Sequence, residues 1–180
     1  MLDQSRAVVA HPLPARRAVP RQCHQNVQAR IVSLGGDCIF GWALSYQGPQ
    51  VDGGPHAPLF ARWVNHVLWR DLYATAWEVT PRINPVNRTS LGWQPTTFIP
   101  DIDATFEGGN PHQARYLPLR PEGIQVAELL NRAQISESDE FRFHWLRLAI
   151  AAMSAEGFTP KGCRVEIIGN RTSNIFFVAD

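Results

Sequence analysis

The stretch RQCHQNVQARIVSLGG, residues 21–36, decides how the chain is read. From Cys23 the apolar residues recur at Val27, Ile31 and Leu34, offsets of 4, 8 and 11, which is one stripe of an α-helix. Pro20 precedes it, where a proline suits a helix start, and Gly35-Gly36 ends it. Cys23 therefore stands in the first turn on the inward stripe, with Asn26 three residues on as its neighbour. A cysteine there is either a small core residue or a nucleophile, because the positive end of a helix favours thiolate.

The strands that follow supply partners for a nucleophile. Residues 37–47, DCIFGWALSYQ, read as a strand with Gly41 as a bend or close-packing point. Residues 48–58 form a loop by their glycines and prolines. LFARWVNHVLWR (59–70) reads as a strand with Phe60, Val64, His66 and Leu68 on one face, and ATAWEVTP (74–81) as its antiparallel partner. A hairpin centred on Leu72 sets His66 directly opposite Glu78, close enough for the carboxylate to orient the imidazole. A slip of one residue would put the two on opposite faces. Cys23, His66 and Glu78 then have the makings of a Cys-His-acid triad: nucleophile, general base and orienting acid. For the oxyanion, the donors in reach are the Cys23 backbone N–H and the side chains of Gln22 and Asn26. Trp42 and His56, the latter in the GGPHAP loop, are candidates for walls of a substrate cleft.

Taken in order, these pieces resemble a set of small bacterial proteins of the papain-like superfamily, the broad group that includes NlpC/P60 hydrolases and transglutaminase-like proteins. The matching residues are Cys23 and Asn26, Gly35-Gly36, Gly41-Trp42, His66 and Trp69, Glu78-Val79-Thr80-Pro81, and FIPD at 98–101. The resemblance spans residues 20–105. It implies an α+β fold in which the cysteine-bearing helix packs on an antiparallel sheet; the additional C-terminal helices lie beyond its span. It also implies chemistry on an amide or thioester bond of a peptide, protein or small amide. The acid in such proteins is usually Asp, so Glu78 departs by one methylene. A catalytically inactive binding or regulatory domain on the same fold is the alternative.

The rest of the chain sets the frame. Residues 1–20, with Pro12, Pro14, Pro20, Arg16 and Arg17, read as a flexible tail, and residues 21–180 as one α+β domain. Residues 82–123 are loop-like, with TTFIP (96–100) as a short strand; 124–134 and 136–157 are helical; 164–180 suggests two strands around a Gly-Asn turn. Cys38 and Cys163 read as core thiols and His24 as a surface residue. The net charge of +1 and the lack of a dense Lys/Arg run argue against a nucleic-acid groove or a membrane-surface patch. No apolar run approaches the roughly 20 residues of a membrane span. The N-terminus lacks the order of a signal peptide, so a cytoplasmic protein is expected. Three widely spaced cysteines do not make a disulfide framework. A zinc site at Cys23, His24, His66 and Glu78 is disfavoured because it has no closely spaced ligand pair, and no cofactor is called for.

Overall fold

The computed structural model describes residues 3–47, 58–83, 90–101, 103–104, 114–158, 162–168 and 171–178. The class is α+β. The chain divides into two compact units rather than the single one expected: residues 1–44 with 65–111, and 45–64 with 112–180.

The first unit holds the nucleophile candidate. A short 3-10 turn (Gln4–Arg6) leads into strand β1 (Val8–Pro12), so the expected tail is in fact an element of the fold. Then come helix α1 (Cys23–Leu34), strands β2 (Asp37–Gln47) and β3 (Phe60–Arg70), and the short strands β4 (Ala76–Glu78), β5 (Arg82–Ile83), β6 (Ser90–Gly92) and β7 (Thr96–Pro100). Neighbours run in the order β2-β7-β1-β4-β3, and β3 pairs back to β2, which closes the strands into a barrel. β1 is antiparallel to β7 and parallel to β4, so the sheet is mixed and not purely antiparallel as expected. Closure explains why β3 shows no clean alternation. One face of a barrel strand fills the interior and the other lies under α1, so Asn65, Val67, Leu68 and Trp69 are all buried.

α1 ends as its glycines demand. Gly35 (φ 75°) donates its N–H to the Ile31 carbonyl at 2.9 Å. Gly36 (φ 84°) lies so close to β3 that a Cβ there would sit 2.2 Å from the Arg70 carbonyl oxygen. The helix lays Val27 against Val67, Trp69 and Val79, with Cys23, Ile31, Cys38 and Phe40 half-buried around them. Leu34, at the end of the predicted stripe, is half-exposed instead.

In the second unit the first half of β3 pairs with β8 (Ala114–Pro118), Arg62 opposite Tyr116. β8, β5 and β6 all fall in the segment read as loop; their runs of two to five residues are too short to show a period. Helices α2 (Gly123–Ile135) and α3 (Asp139–Ala155) bury Val126, Leu130, Ala133, Leu146 and Met153 with Leu59, Phe60 and Tyr116. The Asn131 side chain seals α2 to β8 by bonding both the N–H and the C=O of Tyr116. β9 (Gly162–Ile168) and β10 (Arg171–Val178) pair antiparallel, two strands as the sequence suggested, and the Gly-Asn turn read between them lies outside the described residues. Among the described residues no helix is long and apolar enough to cross a membrane.

Gly41 of β2 is a close-packing point: a Cβ there would stand 2.2 Å from the Ile99 carbonyl oxygen and 2.5 Å from Cζ of Phe98. Gly41→Ala is expected to cost about 1–3 kcal/mol through overpacking. Urea unfolding would measure it, and an unchanged midpoint would show that β2 and β7 yield easily at this point.

Candidate active site

Cys23 is the first residue of α1. Its N-cap, Gln22, supplies no side-chain cap, and no acid stands in the first turn to neutralise the helix's positive end. The half-buried thiol is hydrogen-bonded to the His66 ring and to the backbone N–H of Val67. His66, on β3 with its side chain 13% exposed, places Nε2 2.7 Å from Oε2 of Glu78. With Nε2 occupied by the carboxylate, Nδ1 is the nitrogen left for sulfur. The ring edge packs on Phe98, centroids 6.5 Å apart.

Glu78 ends β4 at 1% exposure. Its Oε2 also accepts the Thr96 hydroxyl at 2.7 Å, and its Oε1 accepts the Thr80 N–H at 2.8 Å. Cys23, His66 and Glu78 therefore form one hydrogen-bonded chain within the first unit, but not in the register expected. β4 pairs Trp69 with Trp77 and Arg70 with Ala76, two residues away from a hairpin centred on Leu72. The turn is wider, Asp71–Thr75. The Asp71 carboxylate accepts the N–H groups of Tyr73 and Thr75 and the indole N–H of Trp77, and Ala74 takes a positive φ of 63°. Ala74 and Thr75, read as strand, belong to this turn. Continuing the register, Glu78 faces Leu68, and His66 lies diagonally beyond it on the same face. A shift of two preserves the face, and a diagonal neighbour is within reach only of a long side chain. The extra methylene that sets Glu apart from Asp spans that gap.

Charge follows the geometry. Burial alone would raise the Cys23 pKa, but the charge and hydrogen bond of His66 and the Val67 N–H outweigh it, and the thiol lies below its ordinary 9.0. Burial would lower His66; the Glu78 carboxylate, then the Cys23 sulfur, push it up to about 10. Burial would likewise raise Glu78, and the charge and hydrogen bond of His66, with Thr96 and Thr80, hold it below the ordinary carboxylate range. All three shifts run toward the charged form of the group: thiolate, imidazolium and carboxylate.

The remaining candidates divide. Asn26 is no oxyanion donor: Oδ1 accepts the Val19 N–H, and Nδ2 donates to the Val19 carbonyl and to Oγ1 of Thr80, which uses both its protons. Trp42 is no cleft wall: it is 1% exposed, with its indole N–H on Oδ2 of Asp101 at 2.7 Å. His56 lies outside the described residues. Gln22 is exposed, and its amide makes no hydrogen bond among the described residues, so it stays available beside Cys23. His24 is not a surface residue; it is half-buried, its ring against Phe40 at 5.7 Å, and burial followed by the charge of His66 lowers its pKa. Cys38 is half-buried beside the same apolar cluster as Cys23, while the Cys163 side chain lies outside the described residues. Among the described residues no group of three or more His, Cys, Asp or Glu is placed to hold a metal ion. Thr80, Thr96 and the Val67 N–H were not found from sequence. A threonine in a β-branched run carries no mark of its hydroxyl's partner, and a backbone N–H carries none at all.

No protein-family model, curated protein or solved structure matches this chain.

Glu78→Asp tests the diagonal reach. The shorter carboxylate should leave His66 without its partner, and its pKa, followed by NMR, should fall from about 10 toward the ordinary 6.5. A His66 titration unmoved by the substitution would show that length is not what Glu78 provides.

Proposed function

We propose that the protein is a cysteine-nucleophile enzyme of papain-like architecture that acts on an amide or thioester bond. The observation that carries this reading is the hydrogen-bonded chain Cys23–His66–Glu78, set at the positive end of a helix. Chain order supports it as well: nucleophile on the helix, then base and acid on successive strands of the sheet it covers.

The chemistry divides into two half-reactions. The Cys23 thiolate attacks the carbonyl carbon, and the developing oxyanion is met by the Cys23 backbone N–H and the Gln22 amide. His66 gives its Nδ1 proton to the departing amine or thiol as the bond to carbon breaks, leaving a thioester on Cys23 and a neutral imidazole. Water then attacks the thioester, His66 takes its proton, and the released thiolate restores the ion pair. Hydrolysis and glutamine deamidation use water in this second step, and acyl transfer uses an amine or another acceptor in its place. Glu78 stays ionised throughout and holds the imidazolium in position. A reactive thiolate suits a reducing compartment, so a cytoplasmic site of action belongs to this reading.

The signs of the shifts define a pH window. His66, with its pKa raised, stabilises the fold fully below 6.5, and that contribution is lost as pH rises through about 10. Cys23, with its pKa lowered, contributes above its ordinary 9.0, and that contribution is lost as pH falls through its native pKa. Between the two native values the thiolate–imidazolium pair persists. Alkylation of Cys23 by iodoacetamide, followed by mass spectrometry, should therefore be fast well below pH 8. In His66→Ala the apparent pKa should return toward the free-thiol value of about 8.5. A Cys23 that titrates as a free thiol in the wild-type protein would remove the nucleophile reading.

A further inference from the structure

We propose that Thr96 is a positioning residue of this site, acting through Glu78 to keep its carboxylate ionised and turned toward His66. The inference rests on the reading of Cys23, His66 and Glu78 as an enzyme site and extends it to a fourth side chain. Thr96 begins β7 and is fully buried. β7 does not pair with β4, because β1 lies between them. Ala10 of β1 is the pairing partner of Thr96, and Pro12 that of Glu78, so all four residues share one face. Ala10, 2% exposed, carries only a methyl group, which leaves room for the Thr96 hydroxyl and the Glu78 carboxylate to meet across β1.

The hydrogen-bond count gives this meeting its consequence. A hydroxyl has one proton, and an ionised carboxylate only accepts. Oε2 of Glu78 receives the Thr96 proton at 2.7 Å and faces Nε2 of His66 at the same 2.7 Å. Oε1 receives the Thr80 N–H. An ionised Oε2 can only accept, so Nε2 of His66 is a donor as well, which places the exchangeable proton of the reaction on Nδ1, facing Cys23. A neutral carboxyl oxygen is a weaker acceptor than an ionised one, so protonating Glu78 would weaken the bond that it takes from Thr96. Thr96 thus opposes both loss of the carboxylate's charge and its rotation away from the ring. A threonine present only for packing would do neither.

Three proteins decide it: wild type, Thr96→Val, which keeps the shape without the donor, and Thr96→Ser, which keeps the donor. The readouts are the pH profile of Cys23 alkylation by iodoacetamide, the NMR titration of His66, and the melting temperature. In Thr96→Val the His66 pKa should fall, and the acid limb of the Cys23 profile should move toward the free thiol, by about one pH unit, the scale of one hydrogen bond to a charged group. Thr96→Ser should keep both curves near wild type. Wild-type curves in Thr96→Val, or equal shifts in Val and Ser, would overturn the role of Thr96 while leaving Cys23 as the nucleophile. A wild-type Cys23 with an ordinary thiol titration would instead overturn the enzyme reading and this inference with it. Should Thr96→Val not fold, the wild-type hydroxyl proton answers the question. A slowly exchanging Thr96 resonance that moves as His66 titrates supports the proposal, and one exchanging as a free hydroxyl does overturns it.

Discussion

A carboxylate at 1% exposure inside a barrel is the constraint around which the first unit is arranged. Removing an ionised carboxylate from water costs several kcal/mol, and an unpaired one would protonate or unfold its surroundings. Glu78 avoids both through three donors from separate parts of the chain: His66 on β3, Thr96 on β7 and the Thr80 N–H just past β4. Hydrogen bonds to a charged group are worth about 1.5–3 kcal/mol each, enough together to offset that cost. The donors come from β3 and β7, on either side of the β4–β1 pair in the strand order, and from the backbone two residues past Glu78. Burial of this charge therefore depends on the strand order β7-β1-β4-β3.

The same network returns to the helix that carries the cysteine. From Cys23 it runs through His66 and Glu78 to Thr80, whose Oγ1 accepts from Asn26, one turn along α1 from Cys23. Asn26 also grips both polar groups of the Val19 backbone and so fixes the chain's approach to the helix. Cys23 and Glu78 are thus tied to the same helical turn by two routes, one through the imidazole and one through an amide. Side chains held from both ends have little freedom left to lose, which is what preorganisation of a polar site requires.

Legibility from sequence followed the length and regularity of each element. α1, β2, β3, α2 and α3 each run for eleven residues or more, and a period or a cap marks them. β1, β5, β6 and β8 run for two to five residues, which is below what a period can show, while β4 lies within the segment read as a strand. A three-residue turn between residues 70 and 74 gives the hairpin the right face and a register two residues from the observed one. The Asp71 carboxylate organises a five-residue turn through bonds to Tyr73, Thr75 and Trp77. The parity of the shift kept His66 and Glu78 on one face. Asn26 was marked out by its closeness to Cys23, but its amide serves the fold, since both of its protons are bonded within the protein.

By itself the sequence determined that an amphipathic helix begins at Cys23, that His66 and Glu78 share a strand face, and that glycines close the helix and mark a bend or close-packing point in β2. These are local matters of spacing and steric room, settled within a dozen residues. Only the tertiary structure decided that the N-terminal segment enters the sheet between β4 and β7, and that Glu78 needs its extra methylene to reach a diagonal histidine. It alone brought Thr96 to the carboxylate across Ala10. The reason is physical: a hydrogen bond between side chains far apart in sequence is set by which strands become neighbours. Strand order answers to burial across the whole barrel, not to the preference of any one segment.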